Sequence, residues 1–156
     1  MLRPENSTPS VGLAGKRQSA RKPRTSGRRA KKQGGAGVNN RKVLLFGRQR
    51  ELALYRAEVL HQNGYHVLTP TTRGEAVAAI EGGGLGAVIL SYTLSSETVE
   101  EMAELLKQKS PGCPLIAISQ TGTVDRRIAP DEVVIADDGP TALLAALRRA
   151  LRRRVQ

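Results

Sequence analysis

Apolar runs alternate with amphipathic segments from Lys42 to the end of the chain. Val43–Phe46 and Leu85–Leu90 are continuous apolar runs, which is typical of strands buried on both faces of a parallel sheet. Three shorter runs predict further strands: Tyr65–Leu68, Leu115–Ile118 and Glu132–Ala136. The pattern therefore predicts five strands, and the most apolar of them is the third along the chain.

Four segments with helical spacing separate or follow these strands. The first is Glu51–Gln62, with Leu52, Tyr55, Val59 and Leu60 at helical spacing and an Asn63-Gly64 pair at its end. The others are Thr72–Glu81, a segment capped by Ser95 or Ser96 and closed by Pro111-Gly112, and a last helix that starts at Pro140. Strands that alternate with helices require right-handed crossovers and a sheet covered on both faces. We therefore predict an α/β fold, a three-layer doubly wound sheet of five parallel strands in the flavodoxin-like order 2-1-3-4-5.

The chain divides into a predicted disordered tail, residues 1–41, and a predicted folded domain, residues 42–156. Residues 1–42 contain twelve Lys and Arg but one acid, so they account for the whole net charge of +11. The tail has almost no large apolar residues, and such a segment cannot offset its conformational entropy by burial. A solvated linker, or an extension from an upstream start codon, explains the tail as well as a nucleic-acid arm does.

Nine tail residues are the candidate nucleic-acid contacts: Lys16, Arg17, Arg21, Lys22, Arg24, Arg28, Arg29, Lys31 and Lys32. Their charge would give strongly salt-dependent binding through counterion release. Because the tail lacks Phe, Tyr and Trp, no base stacking is available, and this binding is expected to be non-specific.

Ser91 directly follows the third predicted strand. In open α/β domains, ligands and chemistry lie at the carboxyl ends of the strands. The chain therefore places a neutral hydroxyl where such domains usually act.

The folded part resembles the receiver domains of bacterial two-component response regulators, which have the CheY-like fold. The stretches that carry the resemblance are VLLFGRQRELALYRAEVLHQNGY, LGAVILSYTLS, CPLIAISQTG and VVIADDGPTALLAALRRAL. The resemblance implies a signalling domain. It also implies positions for an acidic pair that holds Mg²⁺, an aspartate that accepts phosphoryl, a Ser or Thr, and a lysine.

These five positions fall on Gly47, Arg48, Ser91, Ser119 and Ala136, so that only Ser119 matches the family. Mg²⁺ prefers carboxylate oxygens, and Arg48 would put a positive charge beside it. We therefore predict a degenerate pseudo-receiver with no catalytic residues, no metal and no cofactor. The family's aromatic switch position falls on Val133.

Ser91 either binds a ligand or fills a disused pocket, and the filling role is favoured. Arg48 and Arg50 either bind an anion or, in the case of Arg48, pair with Asp137 or Asp138 or extend into water. The two aspartates either rebuild a cation site or cap the last helix.

The remaining candidates have structural interpretations. Gly82–Gly84 precedes a strand and is read as a turn, not a nucleotide loop. His61 and His66 lack partners at metal spacing, and Cys113 stands alone, which fits a reducing compartment. Only 16 residues separate Ser119 from Ala136, so the family's fourth helix is expected to shrink to a turn or two.

The sequence predicts a non-catalytic signalling module that binds an unidentified protein partner and is not phosphorylated by histidine kinases. It is expected to be cytoplasmic, with no membrane span. The alternative is a nucleic-acid-associated protein that binds through the tail, and an enzyme is not expected.

Overall fold

The computed structural model describes residues 39–155 of the chain. It has five strands: β1 Asn39–Phe46, β2 His66–Leu68, β3 Leu85–Leu90, β4 Leu115–Ser119 and β5 Glu132–Ile135. Its four α-helices are α1 Arg50–Gln62, α2 Arg73–Gly82, α3 Ser96–Lys109 and α4 Gly139–Val155, and a short 3₁₀ helix spans Ala136–Asp138. The predicted tail contacts and most of the predicted tail lie outside the described residues.

All neighbouring strands are parallel, and their order is β2-β1-β3-β4-β5. The predicted order is confirmed. The strand order reverses at β1, because β2 lies on one side of β1 and β3, β4 and β5 follow on the other. Doubly wound domains form clefts at this position, between β1 and β3.

Two apolar layers cover the sheet because side chains alternate along each strand. Val43 and Leu45 pack on the face covered by α1 and α4, and Leu44 and Phe46 pack on the face covered by α2 and α3. Every residue of β3 is buried, which explains its continuous apolar sequence.

Local sequence signals set the helix ends. Thr72 and Ser95 accept hydrogen bonds from the backbone N–H of Glu75 and Thr98 and so cap α2 and α3. Gly64 has φ +93°, the left-handed conformation that follows the end of α1. None of the described helices is long and apolar enough to cross a membrane.

The first strand is longer than predicted. It begins at Asn39, and the backbone of Asn39 pairs with Leu85 before a local irregularity that precedes Val43. Backbone pairing does not require apolar side chains, so the polar residues before Val43 concealed the start of the strand.

The buried stripe of α1 agrees with the prediction at Leu60 and differs from it at Tyr55. Ala53, Arg56 and Leu60 are buried, whereas Tyr55 is 57% exposed. The three buried residues follow i, i+3, i+7 spacing, so they share one face of the helix.

No helix forms between β4 and β5 in the described chain. A single hydrogen-bonded turn, Ile128 N–H to Asp125 C=O at 3.0 Å, occupies the place of the family's fourth helix. Val133 and Ile135 of β5 are consequently 40% and 39% exposed.

Candidate functional site

Ser91 lies at the carboxyl edge of the sheet, beside the end of β1. Its backbone N–H donates to the Phe46 carbonyl at 3.0 Å, and only 3% of the residue is exposed. The backbone bond extends the β1–β3 ladder by one step. The predicted position of Ser91 at the tip of β3 is therefore the observed one.

The loop that follows Ser91 packs against the loop that follows β1. The Thr93 backbone N–H and hydroxyl both lie within hydrogen-bond distance of Ser91 Oγ, at 3.3 and 3.2 Å. Thr93 Oγ1 also accepts from the Arg48 backbone N–H at 2.8 Å. These bonds join the two loops and favour the filling role of Ser91.

Gly47 leaves the room that Ser91 and Thr93 occupy. A Cβ added to Gly47 would lie 3.0 Å from Ser91 Cβ and 3.1 Å from Thr93 Oγ1. Contacts this short force neighbouring atoms to shift. An acidic side chain at Gly47 would therefore need a rearranged loop.

We expect Gly47→Ala to lower the free energy of unfolding by about 1–2 kcal/mol through this overpacking. Gly82→Ala is the matched control, because a Cβ there meets nothing within 4 Å and the residue lies in α2. The control should be neutral or stabilising by about 0.5–1 kcal/mol, since alanine favours helix. Urea unfolding of both variants measures the difference; equal effects would contradict the close packing at Gly47.

Arg48 and the two aspartates do not meet. Arg48 is exposed, and no ion pair joins it to Asp137 or Asp138 among the residues that the structure describes. The pair with Asp137 or Asp138 is therefore not formed, and anion binding by the exposed Arg48 stays a prediction. Arg50 donates to the Thr69 carbonyl at 2.7 Å, which ties α1 to the end of β2.

Ser119 forms a turn rather than presenting a free hydroxyl. Its Oγ donates to the Thr123 carbonyl at 2.8 Å and accepts from the backbone N–H groups of Thr121 and Gly122 at 3.2 and 3.0 Å. These bonds use the hydroxyl fully and close the loop after β4. Ala136 begins the 3₁₀ helix and supplies no polar group.

Arg56 is the site residue that the sequence analysis missed. It lies on the buried face of α1 with 8% of its surface exposed, and its Nη1 lies 3.5 Å from Ser91 Oγ. Burial lowers the pKa of the guanidinium from its ordinary value, and the neighbouring Tyr92 hydroxyl opposes part of this shift. Since arginine stays protonated in proteins, Arg56 brings a buried positive charge to the tip of β3.

No carboxylate lies within ion-pair distance of Arg56 among the described residues. The sequence feature that could have identified Arg56 as a buried residue is its spacing. It lies three residues after Ala53 and four before Leu60, on the same face of the helix.

The donor set does not fit the Mg²⁺ of receiver domains. The positions that would supply carboxylates are Gly47, Arg48 and Ser91, and the buried charge beside them, Arg56, is positive. Within residues 39–155, no three His, Cys, Asp or Glu side chains cluster as a metal site needs.

A cleft of about 180 Å³ opens between the ends of β3 and β4. Ser91, Tyr92 and Ser119 line its sheet side, and both apolar and polar side chains of the β3–α3 loop, of α3 and of the β4–β5 loop, Asp125 among them, line the rest. The loop that replaces the fourth helix thus forms one wall of the cleft.

A second groove, of about 290 Å³, lies between the end of β1 and the starts of α2 and α3. It is lined by Arg48 and Arg73 with hydroxyl groups, but Arg73 is paired with Glu101. Its one uncommitted charge among the described residues, that of Arg48, is exposed to water.

No protein-family model and no curated protein matches the chain. Solved structures do match. A response regulator receiver protein from Sinorhizobium medicae has a TM-score of 0.62 and 19% identity, and the match covers 76% of this chain and 97% of that one. The response regulator TrrA from Thermotoga maritima, solved with Mg²⁺ and beryllofluoride, has a TM-score of 0.63 and 19% identity, with 70% and 98% covered.

A third match, an adenylate cyclase from Rhodopirellula baltica, has a TM-score of 0.65 at 14% identity, with 74% of this chain and 90% of that chain covered. Matches at this identity reflect the fold, in agreement with the strand order and the helical layers above. The described part of the chain has the fold of the CheY-like receiver domains of response regulators.

Proposed function

We propose that this protein is a non-catalytic signalling module, in which a receiver fold serves as a protein-interaction domain without being phosphorylated by histidine kinases. The observation that carries the proposal is the inverted charge at the tip of β3, where Arg56 approaches Ser91 at 3.5 Å. Phosphoryl transfer to a receiver requires a carboxylate acceptor and a bound divalent cation there.

The core supports the same proposal. Every residue of the central strands β3 and β4 is buried between the two apolar layers, although the residues at the site lack acid chemistry. A scaffold that keeps its packing while its catalytic positions change suits a role in binding.

The alternative function, non-specific nucleic-acid binding, depends on tail residues that lie outside the described part. The described chain adds one point for its test: because β1 begins at Asn39, a shortened chain should keep this strand whole and begin no later than Val38.

Exposure to Mg²⁺ with beryllofluoride tests the main proposal. TrrA from Thermotoga maritima, whose structure holds both, is the matched positive control. We expect saturable amide shifts in the TrrA spectrum and none around Ser91 of this chain. Saturable shifts at Ser91 and Ser119 that require both reagents would overturn the proposal.

A further inference from the structure

The charges of the folded part are separated between the two ends of the sheet. Residues 43–156 contain thirteen Lys and Arg and thirteen acids, so this part of the chain is neutral overall. In a parallel sheet the connecting helices run against the strands, so strand starts and helix ends lie together at the amino end. The described cations there, which we name the basic end, are Arg41, Lys42, Lys107, Lys109, Arg148, Arg149, Arg152, Arg153 and Arg154. The described acids there are Glu58, Glu81, Glu104, Asp131 and Glu132.

The carboxyl end of the sheet has the opposite balance. Its described, exposed or partly exposed cations are Arg48, Arg50, Arg73, Arg126 and Arg127. Its described acids are Glu51, Glu75, Glu97, Glu100, Glu101, Asp125, Asp137 and Asp138. Cations thus outnumber acids at the amino end, and acids outnumber cations at the carboxyl end. Such a distribution attracts a polyanion to the amino end and repels it from the carboxyl end.

Two arginines of the basic end have no acidic partner in the described chain. Arg152 makes no hydrogen bond or ion pair there, and Arg148 hydrogen-bonds only to the neutral amide oxygen Asn63 Oδ1, at 3.4 Å. Both arginines are exposed. They are four residues apart in α4, so they lie on one side of the helix, one turn from each other.

The other arginines near the end of α4 are only partly neutralised. Arg149 and Arg153 share one carboxylate, that of Glu132, at 2.9 and 2.8 Å. Hydrogen bonds from Arg149 and then from Arg153 lower the pKa of Glu132, so it stays ionised and cancels one of the two positive charges. Arg154 donates to two backbone carbonyls at the start of β3, at 3.0 and 2.8 Å, which carry no net charge.

The helix dipole accounts for only part of the basic end. It favours cations in the last turn of a helix, which covers the final basic residues of α3 and α4. Arg148 precedes the last turn of α4, and Arg41 and Lys42 belong to β1. The excess of positive charge therefore extends over a strand and two helices, beyond what the helix ends require.

The chemistry of this surface favours phosphate groups as its partner. Six of the nine cations are arginines, whose planar guanidinium groups bind phosphate oxygens through paired hydrogen bonds. Helices that bind membrane surfaces combine such cations with exposed apolar side chains. The large apolar side chains that the described chain exposes are Leu54, Tyr55, Val133 and Ile135, and none of them belongs to α3 or α4. A nucleic acid therefore fits better than a lipid surface.

We propose that the basic end binds the phosphate backbone of duplex DNA without reading its sequence. Arg148 and Arg152 supply its two charges without an acidic partner, and each phosphate contact releases counterions condensed on the DNA. Tyr65, whose ring centre lies 5.0 Å from the guanidinium carbon of Arg41, is buried. Because its ring is covered, it offers no platform for the base stacking on which single-strand binding depends.

This proposal goes beyond the tail-based alternative, because it assigns DNA contacts to the folded part of the chain. It is also independent of the proposed signalling role, since Ser91 lies at the opposite end of the sheet. Shifts caused by beryllofluoride would overturn that role and leave the basic end unaffected.

Fluorescence anisotropy of a labelled DNA duplex, titrated with the full-length protein at several salt concentrations, tests the proposal. For Arg152→Gln we expect the slope of log K against log salt to become about 0.9 less steep and the affinity at about 0.1 M salt to fall roughly five- to tenfold. Replacing Arg148 by Gln as well should about double the change in slope.

Arg126→Gln is the matched control. Arg126 is also exposed and makes no hydrogen bond or ion pair in the described chain, but it lies at the carboxyl end. The two variants have the same net charge and the same tail, so binding through the tail is equal in both. The slope for Arg126→Gln should match that of the wild type. If Arg152→Gln does not fold, Lys109→Gln, at an exposed position of the basic end in α3, takes its place.

Equal slopes for Arg152→Gln and Arg126→Gln would assign DNA binding to the tail alone and overturn the proposal. Absence of DNA binding by the full-length protein would overturn it as well. Vesicles that contain phosphatidylserine test lipid headgroups as the other source of phosphate. Weaker vesicle binding by Arg152→Gln with an unchanged DNA slope would assign the basic end to a membrane surface instead.

Discussion

Ser91→Asp is expected to lower the free energy of unfolding by about 3 kcal/mol more in the Arg56→Met variant than in the wild-type protein. The physical reason is the position of Ser91 Oγ, 3.5 Å from the guanidinium and buried. A new carboxylate there gains a charged partner in the wild type, where the pair is expected to be close to neutral in stability. Without Arg56 it is a buried unpaired charge, which typically costs 3–5 kcal/mol.

The experiment is a double-mutant cycle measured by urea unfolding at neutral pH. Ser91→Asn is the matched control, because it has nearly the shape of aspartate without the charge, and its coupling to Arg56→Met should stay below about 0.5 kcal/mol. Arg56→Met alone should leave stability unchanged or raise it by about 1–2 kcal/mol, since it removes a buried charge and keeps the apolar volume. A coupling below about 1 kcal/mol for the aspartate would contradict the short distance between the two side chains.

The same cycle has a pH dependence with a defined sign. Arg56 lowers the pKa of the new carboxylate below its unfolded value of about 4. Its stabilising contribution is therefore present above that value and is lost as the pH falls through the folded pKa. In the Arg56→Met variant, burial raises the pKa of the new carboxylate. The stability lost through Ser91→Asp should therefore become smaller as the pH falls and the carboxylate is protonated.

The sheet was predictable because its strongest signal is local. Leu85–Leu90 is a short apolar run bounded by turn residues, which is typical of a strand covered on both faces. This strand predicts the position of Ser91 at its carboxyl end. The helical segments before and after it predict crossover connections and therefore parallel strands.

Arg56 escaped the sequence analysis because its charge concealed its position. An arginine counts as polar in a periodicity pattern, and the nearby Tyr55 appeared to be the apolar residue of that turn. The helix turns Ala53 inward together with the predicted Leu60, which places Arg56 between them on the buried face. Only the three-dimensional arrangement shows that no described acid lies within reach.

The loop before β5 shows a second limit. Its short length predicted the loss of the fourth helix, but length alone does not show what covers the sheet. Val133 and Ile135 remain about 40% exposed, and the loop turns towards β3 to form the wall of the cleft. The cleft was not predictable because residues far apart in the sequence line it.

Leu60→Ala is expected to lower the free energy of unfolding by about 3 kcal/mol, whereas Tyr55→Ala should change it by less than about 0.5 kcal/mol. Leu60 is fully buried against the sheet, and removing buried methyl groups leaves a cavity that typically costs 2–5 kcal/mol. Tyr55 lies on the same helix with 57% of its surface exposed. Alanine favours helix at both positions, and helix propensity differs between leucine and tyrosine by only about a few tenths of a kcal/mol, so the difference between the variants reports mainly burial.

Urea unfolding of the two variants at several protein concentrations completes the test. A small cost for Tyr55→Ala that does not vary with concentration confirms that this face of α1 is open to water. If Tyr55→Ala lowered the free energy of unfolding as much as Leu60→Ala does at every protein concentration, the assigned helix face would be contradicted. A cost that grows with concentration would instead indicate that self-association covers Tyr55, because stability gained by association depends on the concentration of the partner.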